Sequence, residues 1–120
     1  MKDIFVFGSN LAGRHGKGSA KEALEHHGAI LGQGEGLQGS AYAIPTKSKK
    51  LQVLSLLTIR LYVNQFLEFA KAHQEMQFHI VAIGTGLAGY TTQDIAPLFA
   101  DAPENCILPQ EFRTFLDESM

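Results

Sequence analysis

Residues 8–20, Gly-Ser-Asn-Leu-Ala-Gly-Arg-His-Gly-Lys-Gly-Ser-Ala, form the stretch of this chain best suited to chemistry. Glycines at 13, 16 and 18 let the backbone take positive φ and approach a ligand with no Cβ in the way. The stretch follows an apolar run, Ile4–Phe7, and leads into Ala20–His27, which reads as a helix that stops at Gly28. Strand, glycine loop and helix in that order aim backbone N–H groups and the positive helix end at an anion, usually a phosphate. Gly8, Ser9, Asn10, His15, Gly16, Lys17, Gly18 and Ser19 are therefore candidate ligand contacts. Asn10 can hydrogen-bond a ribose hydroxyl, although an asparagine beside glycine is often only a turn residue. His15, beside Lys17, is a candidate for phosphate contact or proton transfer, its plainer reading being a solvated loop histidine. Asn10 and His15 are the two candidate catalytic residues.

A second cluster follows another apolar run, Phe78–Ile83. It comprises Gly84, Thr85, Gly86, Leu87, Ala88, Gly89 and Tyr90. Its glycines again permit close approach, Thr85 adds a hydroxyl, and Tyr90 sits where an aromatic ring can cover a sugar or base; the alternative for Tyr90 is a core or lid tyrosine. Of twelve glycines in 120 residues, nine lie between 8 and 39 and three between 84 and 89. Clustering after strands is the pattern of ligand loops at the carboxyl edge of an α/β sheet. The first loop is not a P-loop, because Lys17 is followed by Gly18 and only then by Ser19. One tight βα turn needs one or two glycines, and this one has more, so an anion cradle is the stronger reading.

Other chemistries find little support. Ser9 is not in a Gly-x-Ser-x-Gly elbow. No Cys/His spacing suits zinc, so neither metal nor cofactor is expected. His26 and His27 close a helix, where a cation suits the dipole, and His79 reads as a strand residue. Net charge is −2 with no Lys/Arg stripe, which argues against duplex nucleic acid. The lone Cys106 reads as a buried strand residue in a reducing compartment, no run approaches a membrane span, and a cytoplasmic location is the expectation.

These residues must be positioned by alternating elements. Strands are expected at Asp3–Phe7, Ser40–Ile44 (ended by Pro45), Phe78–Ile83 and Asn105–Leu108, with a short extended piece at Ala29–Leu31. Gly32–Gly39 is too glycine-rich for helix or strand and is expected to be a loop; Thr46–Lys50 is expected to be a polar turn. The first helix runs from about Gly18 or Ser19, with Ser19 a candidate cap, to His27. The longest runs from Ser55 to His73, with Leu56, Ile59, Val63, Phe66, Leu67 and Ala70 at steps of three and four. Leu57, Leu61 and Phe69 widen that stripe and predict a helix covered on more than one side. Thr91–Asp94 resembles a capping box before a third helix, and Pro109 opens a terminal one. Alternation predicts a mostly parallel sheet in one domain, residues 1–120, with both glycine loops at one crevice.

Taken together, Ser9-Asn10, His15–Ala20, Gly39–Thr46 and Ile83–Tyr90 resemble a compact macrodomain over about residues 4–109. The resemblance, which extends to small phage and bacterial macro-like proteins, implies a three-layer α/β/α fold that binds ADP-ribose, with hydrolysis of an ADP-ribose derivative an activity some members have. It puts Asn10 near the distal ribose, His15–Ala20 and Gly84–Tyr90 on either side of the diphosphate, and Tyr90 at the aromatic position. The aspartate that reads adenine in the family has no counterpart here, and no acidic residue accompanies Asn10. Arg14, His15 and Lys17 replace bare glycines, which suits a more highly phosphorylated ligand. ADP-ribose or another nucleotide-type ligand is thus the expected partner. The competing expectation is a protein-interaction module, such as a phage factor acting on a host nucleotide-signalling protein, with purely structural glycine loops.

Overall fold

The structure, a computed structural model, describes residues 2–119. Its centre is β1 (Lys2–Asn10), with Ile4, Val6 and Phe7 fully buried. β1 pairs in parallel on one side with β3 (Ala41–Lys47) and on the other with β4 (Met76–Ile80). The outer strands are β2 (Gly36–Gln38), antiparallel to β3, and β5 (Cys106–Ile107), parallel to β4, giving the order β2-β3-β1-β4-β5. Four α-helices accompany this mixed, mostly parallel sheet among the described residues: α1 (Gly18–His26), α2 (Leu56–Ala72), α3 (Thr92–Ile95) and α4 (Gln110–Glu118). The result is a compact α/β fold.

Both faces of the sheet are covered, unequally. On one face Ile4, Val6, Ile44 and Phe78 pack with Ile59, Val63 and Phe66 of α2, with Phe99 and with Phe112 of α4. On the other, Phe7 meets Ala20 and Ala23 of α1 together with Ala29, Ala41 and Ala43. One core is built from aromatic and branched side chains, the other mainly from alanines around buried Phe7, with half-buried Phe5 and Val81 packed against it.

Helix boundaries follow local chemistry. Ser55 caps α2 by accepting from Thr58 N–H at 3.2 Å, and Thr91 with Asp94 makes a reciprocal capping box at α3. Gly28 stops α1 with φ +77°. α1 itself starts with no side-chain cap: Lys17 is the N-cap and Ser19 lies within the first turn. Leu57 and Leu61 of α2 are 69 % and 58 % exposed. The apolar stripe is therefore wider than the surface that covers it, and the expected second cover over these two residues is not seen among the described residues.

Several strands differ from expectation. β1 runs past Phe7 to Asn10, so Gly8, Ser9 and Asn10 are strand and not loop, and β4 spans Met76–Ile80 in place of Phe78–Ile83. Gly32–Gly39 is not all loop, because Gly36–Gln38 pairs with Ala41–Ala43 as β2. The glycines there serve tight approach: a Cβ on Gly34 would run into the Asn10 carbonyl, and one on Gly39 into Gly28. β3 also continues through Pro45 to Lys47, so Thr46 and Lys47 belong to strand rather than turn. β2 ends opposite Ala43, so β3 has no outer neighbour at Pro45 to require its missing N–H. Ala29–Leu31 forms no strand; Ala29 is buried, while Ile30 and Leu31 are exposed.

Candidate functional site

β1 and β4 are adjacent and parallel, so the loops that follow them emerge at the same carboxyl edge. They wall a cleft of about 550 Å³. Of the residues expected at a site, Gly8, Ser9, Asn10, Gly16, Lys17, Gly18 and Ser19 line one wall and Gly84, Thr85, Gly86, Leu87 and Ala88 the other. Arg14, Ala20, Thr46, Lys47, Leu51 and Val81–Ile83 complete the lining. Sequence reasoning missed Thr46 and Lys47 because it ended the strand at Pro45. Carried two residues further, that strand reaches the edge beside Asn10, with Asn10 opposite Lys47 in the register.

The cleft is cationic. Arg14, Lys17 and Lys47 line it and no carboxylate does, among the described residues. The whole chain carries a net charge of −2, so this local excess of cations runs against the overall balance. By contrast a second depression, of about 420 Å³ beside α2, mixes Arg60 and Lys71 with Glu68 and Asp101. The uncapped start of α1 adds to the field at the cleft. Its first N–H groups have no acceptor within the helix, Lys17 supplies no side-chain cap, and Gly18, Ser19 and Ala20 all border the cleft.

The glycines divide into two kinds. Gly13, Gly28, Gly34 and Gly39 sit where a Cβ would strike backbone; they shape the fold. Gly16 and Gly86 take no left-handed φ, and a Cβ on either would meet nothing within 4 Å. Among the described residues nothing requires glycine at these two positions, both of which line the cleft. Gly18 and Gly89 also have open space but carry φ of +58° and +83°.

Several polar side chains are already engaged. Asn10 Nδ2 donates to Arg14 O at 2.9 Å while its Oδ1 accepts from Arg14 N–H at 3.0 Å. The amide thus clasps Arg14 by both backbone groups and fixes the base of that side chain at the cleft. Ser9 Oγ donates to Gly34 O, Thr46 Oγ1 to Ser9 O, and Thr85 Oγ1 to Ala82 O.

Three expected site residues do not line the cleft: His15, Gly89 and Tyr90. His15 is not solvated but 1 % exposed. Its Nε2 lies 3.0 Å from Ile30 O and 3.1 Å from Gln33 O; carbonyls only accept, so Nε2 carries the hydrogen. Its ring meets Phe7 edge-on at 5.3 Å between centroids, and Nδ1 has no hydrogen-bond partner among the described residues. His15 therefore ties the first loop to residues 30–33, a core role that loop chemistry alone gave no signal for. Buried Gln38 continues the same network, accepting from Ile30 N–H at 2.8 Å and donating to Gln33 O at 3.1 Å. Tyr90 is half-buried, and its hydroxyl donates to Leu54 O, tethering the second loop to the segment before α2.

The other histidines and the cysteine stand apart from the cleft. His79 meets Asp3 at 2.9 Å at the opposite end of the strands, and His27 stacks on Phe5 at 4.2 Å. Cys106 is partly rather than fully buried, and burial pushes its thiol up to about 11. Among the described residues no group of His, Cys, Asp and Glu is placed to hold a metal ion, and no helix is long and apolar enough to cross a membrane. The chain matches no family model, no curated protein and no solved structure.

Proposed function

We propose that this protein is a macrodomain-like three-layer α/β/α module that binds ADP-ribose or a related phosphorylated nucleotide between its two glycine loops. The observation that carries this reading is the pair Gly16 and Gly86. Both line the cleft, and neither a φ angle nor an internal neighbour accounts for glycine at either place. A ligand lying against the backbone accounts for both. Arg14, Lys17, Lys47 and the uncapped start of α1 favour a negatively charged ligand.

Binding is favoured over hydrolysis. A general base must reach the reacting group or its water, yet among the described residues no carboxylate or histidine lines the cleft. His15 is buried against Phe7, and the Asn10 amide is held by Arg14.

Calorimetric titration with ADP-ribose, paired with thermal shift, tests the proposal. At a hundredfold its Kd a ligand stabilises the fold by about 2.7 kcal/mol, roughly ten degrees of Tm for a domain of this size. The absence of heat and of a shift with ADP-ribose, NAD, AMP and ATP would sink the reading. A second reading, a protein-interaction module with structural glycine loops, draws on the exposed Leu57 and Leu61 of α2. It is favoured instead if a stable partner binds a Gly16→Val, Gly86→Val double variant as well as the native chain.

A further inference from the structure

We infer that the cleft recognises its ligand by the number of phosphates it carries and leaves the base edge unread. The inference rests on the nucleotide-binding reading above and concerns what that site selects. Reading a base requires side-chain donors and acceptors held ready for its edge. Of the five uncharged polar side chains in the lining, Ser9, Asn10, Thr46 and Thr85 are engaged within the protein. Only Ser19 has no hydrogen bond among the described residues, and it stands in the first turn of α1, two residues from Lys17, where a phosphate and not a base is the expected neighbour. The hydroxyl hydrogens of Ser9, Thr46 and Thr85 go to carbonyl oxygens of the protein, and both ends of the Asn10 amide go to Arg14. Ser9 and Thr46 are also buried, so their remaining lone pairs are withdrawn from the lining surface.

What remains is charge, backbone and apolar area. Arg14 and Lys17 are exposed and Lys47 half-buried, with no carboxylate among the described residues of the lining to neutralise them. Successive phosphates each add negative charge within reach of these cations. Leu51 and Leu87 line the same cleft while 40 % and 67 % exposed. They offer apolar contact to any base, since such contact depends on area and not on edge pattern.

Two titration series in magnesium-free buffer test this. In the first, AMP, ADP and ATP are compared, with tripolyphosphate as the arm that lacks a nucleoside. Each added phosphate should tighten binding by about fivefold, the worth of one charge pair near a solvated surface, and tripolyphosphate should follow the same trend. In the second, ADP, GDP, CDP and UDP should agree within about threefold, well inside the discrimination that one bidentate base contact supplies. Arg14→Gln and Lys47→Gln should each weaken ATP more than AMP while leaving the melting temperature of the unliganded protein close to native. Discrimination among the four diphosphates above about tenfold would overturn the inference and leave nucleotide binding standing, as would AMP binding as tightly as ATP. No binding by any nucleotide would overturn the nucleotide-binding reading itself.

Discussion

At the scale of single residues, the glycines carry two opposite expectations. A Cβ at Gly16 or Gly86 meets open space, so Gly16→Ala and Gly86→Ala should leave stability unchanged or raise it by up to about 1 kcal/mol, through the smaller entropy of the unfolded chain. The same substitutions should weaken ADP-ribose at least tenfold, because the methyl would occupy the space the ligand approaches. Gly34→Ala should do the reverse of the first pair in a melt. Its Cβ would press on the Asn10 backbone, and we expect a loss of more than about 2 kcal/mol. Chemical denaturation of the three variants beside a binding titration separates the two kinds. That division was not legible in the sequence: fifteen residues from Gly8 to Tyr90 have the right chemistry for a site, but whether a loop glycine serves the fold or a ligand depends on neighbours twenty residues away. His15 illustrates the same limit. A histidine between glycine and arginine looks solvated until the chain from 30 to 33 is folded over it.

At the scale of elements, the second loop is held by a contact that can be removed singly. Tyr90 donates to Leu54 O, and Tyr90→Phe keeps the ring while leaving that carbonyl without its donor. The expected loss is about 1 kcal/mol, with weaker ligand binding because Gly84–Ala88 lose their tether; equilibrium unfolding and calorimetry read the two effects. The order of helices and parallel strands was legible, since α2 carries a clean three-and-four apolar spacing and its Ser55 cap is a local signal. So was the meeting of the two loops, which follows from adjacent parallel strands. β2 was not legible, because glycine content argues against a strand and only pairing with Ala41–Ala43 makes one. Nor was the continuation of β3 through Pro45, which is allowed only because β2 stops short.

At the scale of the whole molecule, alkaline pH probes the larger core. Burial, with a smaller effect of nearby Glu35, pushes the Tyr42 hydroxyl up to about 12 from its ordinary 10.0. Between these values the unfolded chain has lost the proton that the folded chain still holds, so stability falls as pH rises from about 10 toward 12. The fall due to Tyr42 is about 2–3 kcal/mol, and it is absent below pH 10. Comparing urea midpoints of the native chain and Tyr42→Phe across that window isolates it from the other groups that titrate there; equal slopes in the two proteins would refute it.

The alanine-built layer under α1 has a consequence for motion. Ala20, Ala23, Ala29, Ala41 and Ala43 bring little apolar area to that face, whereas α2 is anchored by Ile59, Val63 and Phe66. α1 should therefore detach in a partial opening well below global unfolding, and its amides should exchange hydrogen for deuterium sooner than those of α2. Because α1 begins at the cleft, a bound anion closes that opening. At a hundredfold its Kd it should slow exchange in residues 21–26 by up to about a hundredfold while leaving the centre of α2 at its unliganded rate. The least firmly packed helix would thus be the one that reports occupancy.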